Sequence, residues 1–399
     1  MRLLALLAAA CLAAAAGDRP PVLVIALDGF RNDYAVRDGA ANLLALEREG
    51  AAVQSWTPAF PSTTFPNFHS MATGLVPTRH GLVAMAFRDR ARGRDFSYMR
   101  NASEGFWYGG RPIWEVAEEQ GVLAATYFWP GTEAGVNGRY PSYFKRYDPR
   151  ATHVERIAQV LDWFRLPESE RPGLAIVYFS DVDAMGHAHG PDSAEVRAAV
   201  KRVDNAVGEI VRGVRGLRPD VNIVVVSDHG MSAVDRVIDF TADADLRGCR
   251  AANEAPMTML YCDDPERVRG ELLSKPRAYT VERRSELPAH LEFTGSERIG
   301  DLIVRPKATS IVYALPPGDP NAKPVPPLKG MHGYDPRAVP EMTGILIAAG
   351  PAFRTGARVE GARTVDLYPL LGELLGLTLP AGVDGQLSRV RGLLREPGR

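Results

Sequence analysis

The sequence carries no excess charge of either sign: 47 Lys and Arg stand against 48 Asp and Glu. Without a basic surplus nothing steers the whole molecule to a nucleic-acid duplex, so a phosphate-bearing partner has to be bound locally. Beyond the N-terminus there is no apolar run long enough to span a bilayer. The 38 glycines follow no three-residue period, which excludes collagen, and no internal repeat is present. Cysteine is scarce, with three in 399 residues. What remains is the composition of an ordinary globular protein, 45% hydrophobic and 24% charged. The length suits an α/β enzyme built as one core with insertions.

Met1-Arg2 precedes an apolar run from Leu3 to Ala16, followed by Gly17, Asp18, Arg19 and two prolines. A basic start, a short apolar stretch and small residues at Ala14 and Ala16 predict a secretory signal peptide over 1–16, with 17–399 exported to the periplasm or secreted. The run holds 14 residues, short of the roughly 20 that a membrane span needs. A lipoprotein signal at Cys11 is the alternative, disfavoured by Ala8 where such signals carry Leu. Removal of Cys11 leaves Cys249 and Cys262 in an oxidising compartment, where they can pair.

Val22 to Leu27 is a continuous apolar run ending at Asp28-Gly29, the pattern of a buried parallel strand. It recurs from Leu174 to Phe179, ending at Ser180-Asp181-Val182-Asp183, and from Ile223 to Val226, ending at Ser227-Asp228-His229-Gly230. A fourth run covers Gly344 to Ala349. Between them lie helical patterns such as Ala194 to Val214, apolar at Val196, Val200, Val203, Val207 and Ile210. Strands alternating with helices predict an α/β fold around a mostly parallel sheet. The rhythm breaks between 245 and 329, where short strand-like pieces (Met257 to Tyr261, Asp301 to Val304, Ser310 to Ala314) and a proline-rich segment predict an inserted smaller lobe.

Ligands of parallel α/β sheets bind beyond the carboxyl ends of the strands. Asp28, Asp183 and Asp228 therefore converge on one crevice. Asp183 and His187 lie four apart on one side of a helical turn. Asp228-His229 forms a second pair, and His332 is flanked by Gly330 and Gly333. Three carboxylates and three imidazoles suit Zn²⁺, enough for two ions with three protein ligands each. A hydroxyl from Ser62, Thr63 or Thr64 precedes a helix-like run from Asn67 to Thr73. There the free N–H groups of a helix start favour an anion. The residues alone do not choose among the three hydroxyls.

These residues carry a resemblance. Ala26-Leu27-Asp28-Gly29-Phe30-Arg31, Thr64-Phe65-Pro66-Asn67, Thr73-Gly74-Leu75-Val76-Pro77 with His80-Gly81, Pro112-Ile113-Trp114, Phe128-Trp129-Pro130-Gly131, Asp183 to Pro191, Ser227 to Met231 and His332-Gly333-Tyr334-Asp335 resemble, in order, the nucleotide pyrophosphatase/phosphodiesterase family of the alkaline phosphatase superfamily. The likeness runs from about Val22 to Leu377. It implies an alkaline-phosphatase-like core and two zinc ions. Thr64 would be the nucleophile that takes the phosphoryl group. Asp183, His187 and His332 would hold one ion, and Asp28, Asp228, His229 and Thr64 the other. Phe65 and Tyr147 would sandwich a nucleotide base. The implied activity is hydrolysis of small nucleotide phosphodiesters or pyrophosphates to nucleoside monophosphates. Choline-phosphate lipids, glycerophospho-alcohols or phosphate monoesters are the alternative substrates. Two positions depart from the pattern: Met85 stands where the family has an Asn whose amide contacts a phosphate oxygen, and Thr63 where some members have Lys. Met cannot donate a hydrogen bond. His69, His80, His153, His189 and His290 match no ligand position.

Overall fold

The computed structural model describes residues 19–274 and 277–396. The predicted signal peptide, with Cys11, lies outside the described residues. The central sheet is built from β1 (Val22–Leu27), β2 (Ala51–Thr57), β3 (Ala124–Tyr127), β4 (Tyr143–Lys145), β5 (Leu174–Phe179), β6 (Asn222–Val226), β7 (Gly344–Ala349) and β8 (Ala357–Arg363). Their order across the sheet is β8-β2-β7-β6-β1-β5-β3-β4.

The apolar runs become the buried centre of this sheet. Every residue of β1, β5, β6 and β7 is buried. A strand covered on both faces has no use for polar alternation, which is why the runs are continuous. β1 pairs in parallel with both β5 and β6, and Ala26 stands level with Tyr178 and Val226. Two residues further on, this register puts Asp28 level with Ser180 and Asp228 at one edge of the sheet.

One strand departs from the parallel set. β7 runs antiparallel to both β6 and β2, whereas β8 pairs with β2 in parallel. The segment around His332 already lies at the carboxyl ends of the parallel strands, so the next core strand has to run back across the sheet.

Helices cover the faces. The predicted helix after Ser193 spans Ala194–Leu217, with Val196, Val200, Val203, Val207 and Ile210 all buried and the Ser193 hydroxyl capping Val196 N–H at 3.1 Å. Two shorter helices carry site residues: α1 (Thr64–Thr73) and α2 (Asp181–His189). Between β6 and β7 lies a separate four-stranded antiparallel sheet in the order Cys249–Glu254, Met257–Cys262, Leu302–Pro306, Tyr279–Arg283. Cys249 and Cys262 face each other across its first hairpin and are joined as a disulfide. One face of this sheet packs Phe60, Phe87, Trp107 and Met259 into an apolar cluster distinct from the main core. Among the described residues no helix is long and apolar enough to cross a membrane.

Candidate active site

α1 begins at Thr64, three residues earlier than the helix-like pattern, because Asn67 clamps the preceding loop. Its side-chain amide donates to the carbonyls of Ala59, Pro61 and Thr63 at 3.0–3.2 Å, and its Oδ1 accepts Ala59 N–H at 2.8 Å. The three candidate hydroxyls then separate. Ser62 Oγ is buried and donates to the Tyr334 carbonyl at 2.8 Å. Thr63 occupies the cap position but makes no cap bond. Thr64 Oγ1 lies 3.2 Å from His229 Nε2, at the ligand cluster.

Around this hydroxyl the structure brings together all six predicted ligands in two sets. His229 Nε2 lies 3.0 Å from Asp228 Oδ2 and 3.5 Å from Asp28 Oδ1. His332 Nε2 lies 3.1 Å from His187 Nε2 and 3.5 Å from Asp183 Oδ1, which is itself 3.4 Å from His187 Nε2. The sets adjoin, since the His229 and His332 rings stack with centroids 3.6 Å apart. Asp183, His229 and His332 thus also offer ligand atoms within 4.8 Å of one another.

Each imidazole is held by its other nitrogen. Nδ1 of His187, His229 and His332 faces the carbonyl of Gly330, Gly230 and Ser62 at 3.0, 2.9 and 2.9 Å. Since a carbonyl only accepts, each Nδ1 carries the proton and each Nε2 turns a lone pair into the site. Two such lone pairs 3.1 Å apart repel unless something electropositive lies between them. The carboxylates tell the same story. Asp28 Oδ1, Asp183 Oδ1 and Asp228 Oδ2 are buried and lack a hydrogen-bond partner among the described residues. Burial, with the charges of Asp228 and Asp183, raises the Asp28 carboxyl well above its ordinary range against the pull of the Tyr178 phenol. Burial holds His332 well below its usual value, and the neighbouring His229 and His187 push it the same way. Burial is also the largest single influence on His229 and pulls it down, but Asp228, Asp183 and the Gly230 carbonyl together leave it raised. Orphaned oxygens and convergent lone pairs on a mixed oxygen and nitrogen donor set fit divalent cations.

Glycine makes the convergence possible. Gly29 has φ +64° and a Cβ there would fall 2.9 Å from Asp183 Cα. At Gly330 a Cβ would lie 2.4 Å from the Gly186 carbonyl of α2, so only glycine lets His332 come alongside His187.

Asp28, Thr64, Asp183, His187 and His332 line the floor of a cleft of about 760 Å³, with Asp228 and His229 buried behind them. Phe65, Met85, Tyr98, Phe128, Lys145, Tyr147 and Glu254 contribute to its walls. Phe65 packs near Tyr98 with ring centroids 5.8 Å apart, and Tyr147, 52% exposed, packs edge-on to Phe128 at 5.4 Å. Met85 Sδ accepts the Phe65 N–H at 3.3 Å. Tyr98, Glu254 and the Tyr178 phenol that donates to Asp28 escaped the sequence reading, since no motif or spacing marks them. The remaining histidines lie apart from both sets: His69 and His80 are buried, bonded to the Gly109 carbonyl at 2.8 Å and Ser70 Oγ at 3.0 Å, and His153 and His290 pair with Asp181 and Asp335. His189 is partly exposed near Glu195.

The chain matches the model of the family described as type I phosphodiesterase / nucleotide pyrophosphatase over residues 22–335. It is 32% identical over 376 residues to a pyrophosphatase/phosphodiesterase of Schizosaccharomyces pombe, covering 89% of this chain and 77% of that protein. It is also 32% identical to ectonucleotide pyrophosphatase/phosphodiesterase family member 1 of Mus musculus, covering 95% of this chain but 43% of that longer protein. Among solved structures, murine ectonucleotide pyrophosphatase/phosphodiesterase 5 superposes with a TM-score of 0.86 at 28% identity, covering 94% of this chain and 100% of that one. Fold, motif order and sequence agree: the chain belongs to the type I phosphodiesterase / nucleotide pyrophosphatase family.

Proposed function

We propose that this protein is an exported two-zinc phosphodiesterase that cleaves nucleotide phosphodiester or pyrophosphate bonds and releases nucleoside monophosphates. The observation that carries this reading is Thr64 Oγ1, 3.2 Å from His229 Nε2 at the junction of the two ligand sets. In this reading Asp183, His187 and His332 hold one ion and Asp28, Asp228 and His229 the other, beside Thr64. The bound ions would lower the pKa of a coordinated hydroxyl and stabilise the oxygens entering and leaving phosphorus. Thr64 Oγ attacks phosphorus, forming the Oγ–P bond as the leaving oxygen departs. Water then cleaves that bond, which regenerates Thr64 and frees the nucleotide. The N-terminus of α1 supplies N–H groups and a dipole that favour the anionic phosphoryl group. Phe65 and Tyr147 flank the base. A related enzyme supports the nucleotide assignment: a structure of murine ectonucleotide pyrophosphatase/phosphodiesterase 5 is that of an inactive threonine-to-alanine variant in complex with AMP. Export is supported by the disulfide, by the signal-like N-terminus and by relatives named as ectoenzymes and venom enzymes.

The test is hydrolysis of a nitrophenyl ester of a nucleotide. Exhaustive chelation abolishes it and zinc restores it. His332→Ala or Asp183→Ala nearly abolishes it, since each ion has only three side-chain ligands besides Thr64 or water. Thr64→Ala is inactive yet retains most of its metal. Full activity after chelation, or an active Thr64→Ala with a dead Thr63→Ala, overturns the assignment.

A further inference from the structure

Beside the nucleophile stands a hydroxyl that the fold leaves unused. Thr63 holds the cap position of α1, with the extended backbone (φ −123°, ψ 156°) from which a threonine ordinarily caps a helix. A capping hydroxyl accepts the N–H of the second or third helical residue. Neither is open to it here. The third residue is Pro66, which has no N–H. The second is Phe65, whose N–H goes to Met85 Sδ at 3.3 Å. Thr63 Oγ1 is accordingly buried without a hydrogen-bond partner among the described residues, and the residue as a whole is 3% exposed.

Its surroundings are those of the reaction. Thr63 lines the same cleft as Thr64, Asp28, Asp183 and His332. Oδ1 of Asp28 and of Asp183 share its condition, buried and unpartnered, and both belong to the ligand sets. The methyl of Thr63 faces Gly333, the neighbour of His332, where an added Cβ would lie 3.1 Å from Thr63 Cγ2. The ten-residue helix that Thr63 precedes presents its positive end at this point. A buried donor without an acceptor destabilises the fold. An anion bound at the start of α1 would supply the acceptor that the protein does not.

We propose that Thr63 is a further catalytic residue, whose hydroxyl donates a hydrogen bond to a non-bridging oxygen of the phosphoryl group as that group passes to Thr64. The proposal rests on the reading of Thr64 as the nucleophile. The Thr63 hydroxyl keeps its proton throughout and forms no bond to phosphorus. A phosphoryl oxygen accepts more than one hydrogen bond, so an amide at position 85 would add to this donor rather than replace it.

The test is an isosteric substitution. Thr63→Val keeps the shape and the methyl and deletes the donor. The zinc-loaded variant is expected to lose about 10- to 100-fold in kcat/KM for the nitrophenyl nucleotide ester. Its metal content stays unchanged and its melting temperature does not fall, because no hydrogen bond of the fold is broken. Thr63→Ser, which keeps the hydroxyl, retains most of the activity. Sulfur is a weak acceptor, so with the two phosphorothioate diastereomers of a nucleotide diester the Thr63→Val penalty persists for one and largely disappears for the other. Binding of AMP to Thr64→Ala, weakened about 5- to 50-fold by adding Thr63→Val, reads the contact without turnover. A failure of the nucleophile reading, seen as turnover by Thr64→Ala, is thereby told apart from a failure of this one. Wild-type kcat/KM in Thr63→Val, an equal penalty for both diastereomers, or a loss that tracks a fall in melting temperature overturns the proposal.

Discussion

At position 85 a thioether stands where the family pattern carries an amide, and the structure gives it a local task. Met85 Sδ accepts the Phe65 N–H at 3.3 Å, so an amide beside the nucleophile is tied to a weak acceptor and no side-chain donor is offered from this position. A transition-state donor of this kind is worth about 2.7–4 kcal/mol. Met85→Asn is therefore expected to raise kcat for a nucleotide diester at least about 10-fold; an unchanged kcat means that another group already serves the phosphoryl oxygens. Tyr147 bears on affinity instead. It is about half exposed and leans on Phe128 rather than on the core, so removing it costs little packing. A base between two rings gains about 1–3 kcal/mol from stacking. Tyr147→Ala is expected to raise KM for nucleotide diesters about 5- to 100-fold while leaving a nitrophenyl monoester almost unaffected. Steady-state kinetics on both substrates separate the two effects.

At the scale of elements, the site depends on how closely α2 meets the segment that carries His332. Gly330 faces the Gly186 carbonyl so tightly that a methyl group would lie 2.4 Å from it. The same contact is braced by Gly330 O, which accepts His187 Nδ1–H at 3.0 Å. Gly330→Ala has to push the segment off α2 and part the His187 and His332 nitrogens. Loss of orientation behind a ligand typically lowers metal affinity about 10- to 100-fold, and that is the expected effect on divalent-metal binding, measured by metal titration. Gly216→Ala meets nothing within 4 Å and serves as the control. Asn67 does the corresponding work for α1. Its amide bonds hold the loop from Ala59 to Thr63, and with it the start of the helix at Thr64.

For the whole molecule, stability is expected to follow pH through buried imidazoles as well as through the site. Burial lowers His69 to about 4 and His80 well below its usual 6.5. Both are neutral in the folded protein. As pH falls below 6.5 the unfolded chain takes up protons that the folded chain refuses, so their contribution is complete above 6.5 and is lost toward 4. For His69 alone the span corresponds to about 3 kcal/mol. The melting temperature of the metal-free protein is thus expected to drop between pH 7.5 and 5. His69→Gln, which keeps a donor but does not titrate, is expected to reduce the slope; an unaltered slope shows that other groups dominate.

The sequence alone determined the alternation of buried strands and helices, since strands covered on both faces read as unbroken apolar runs. It also determined the acidic residues that end them, because ligands gather at the carboxyl edge of such sheets. The six ligand candidates followed from those two facts and from histidines placed beside carboxylates or glycines. Three things needed tertiary structure. The residues by themselves left three hydroxyls open, with only the family resemblance implying Thr64; in the fold Asn67, and Tyr334, which engages Ser62 from 272 residues away, leave Thr64 facing the ligands. The reversed direction of β7 was decided by where His332 leaves the chain, and nothing in Gly344 to Ala349 encodes direction. The walls of the cleft, with Tyr98 on a loop and Glu254 on a separate sheet, were assembled from elements far apart in the chain. Periodicity records which side of an element is buried, but not which distant element comes to lie against it.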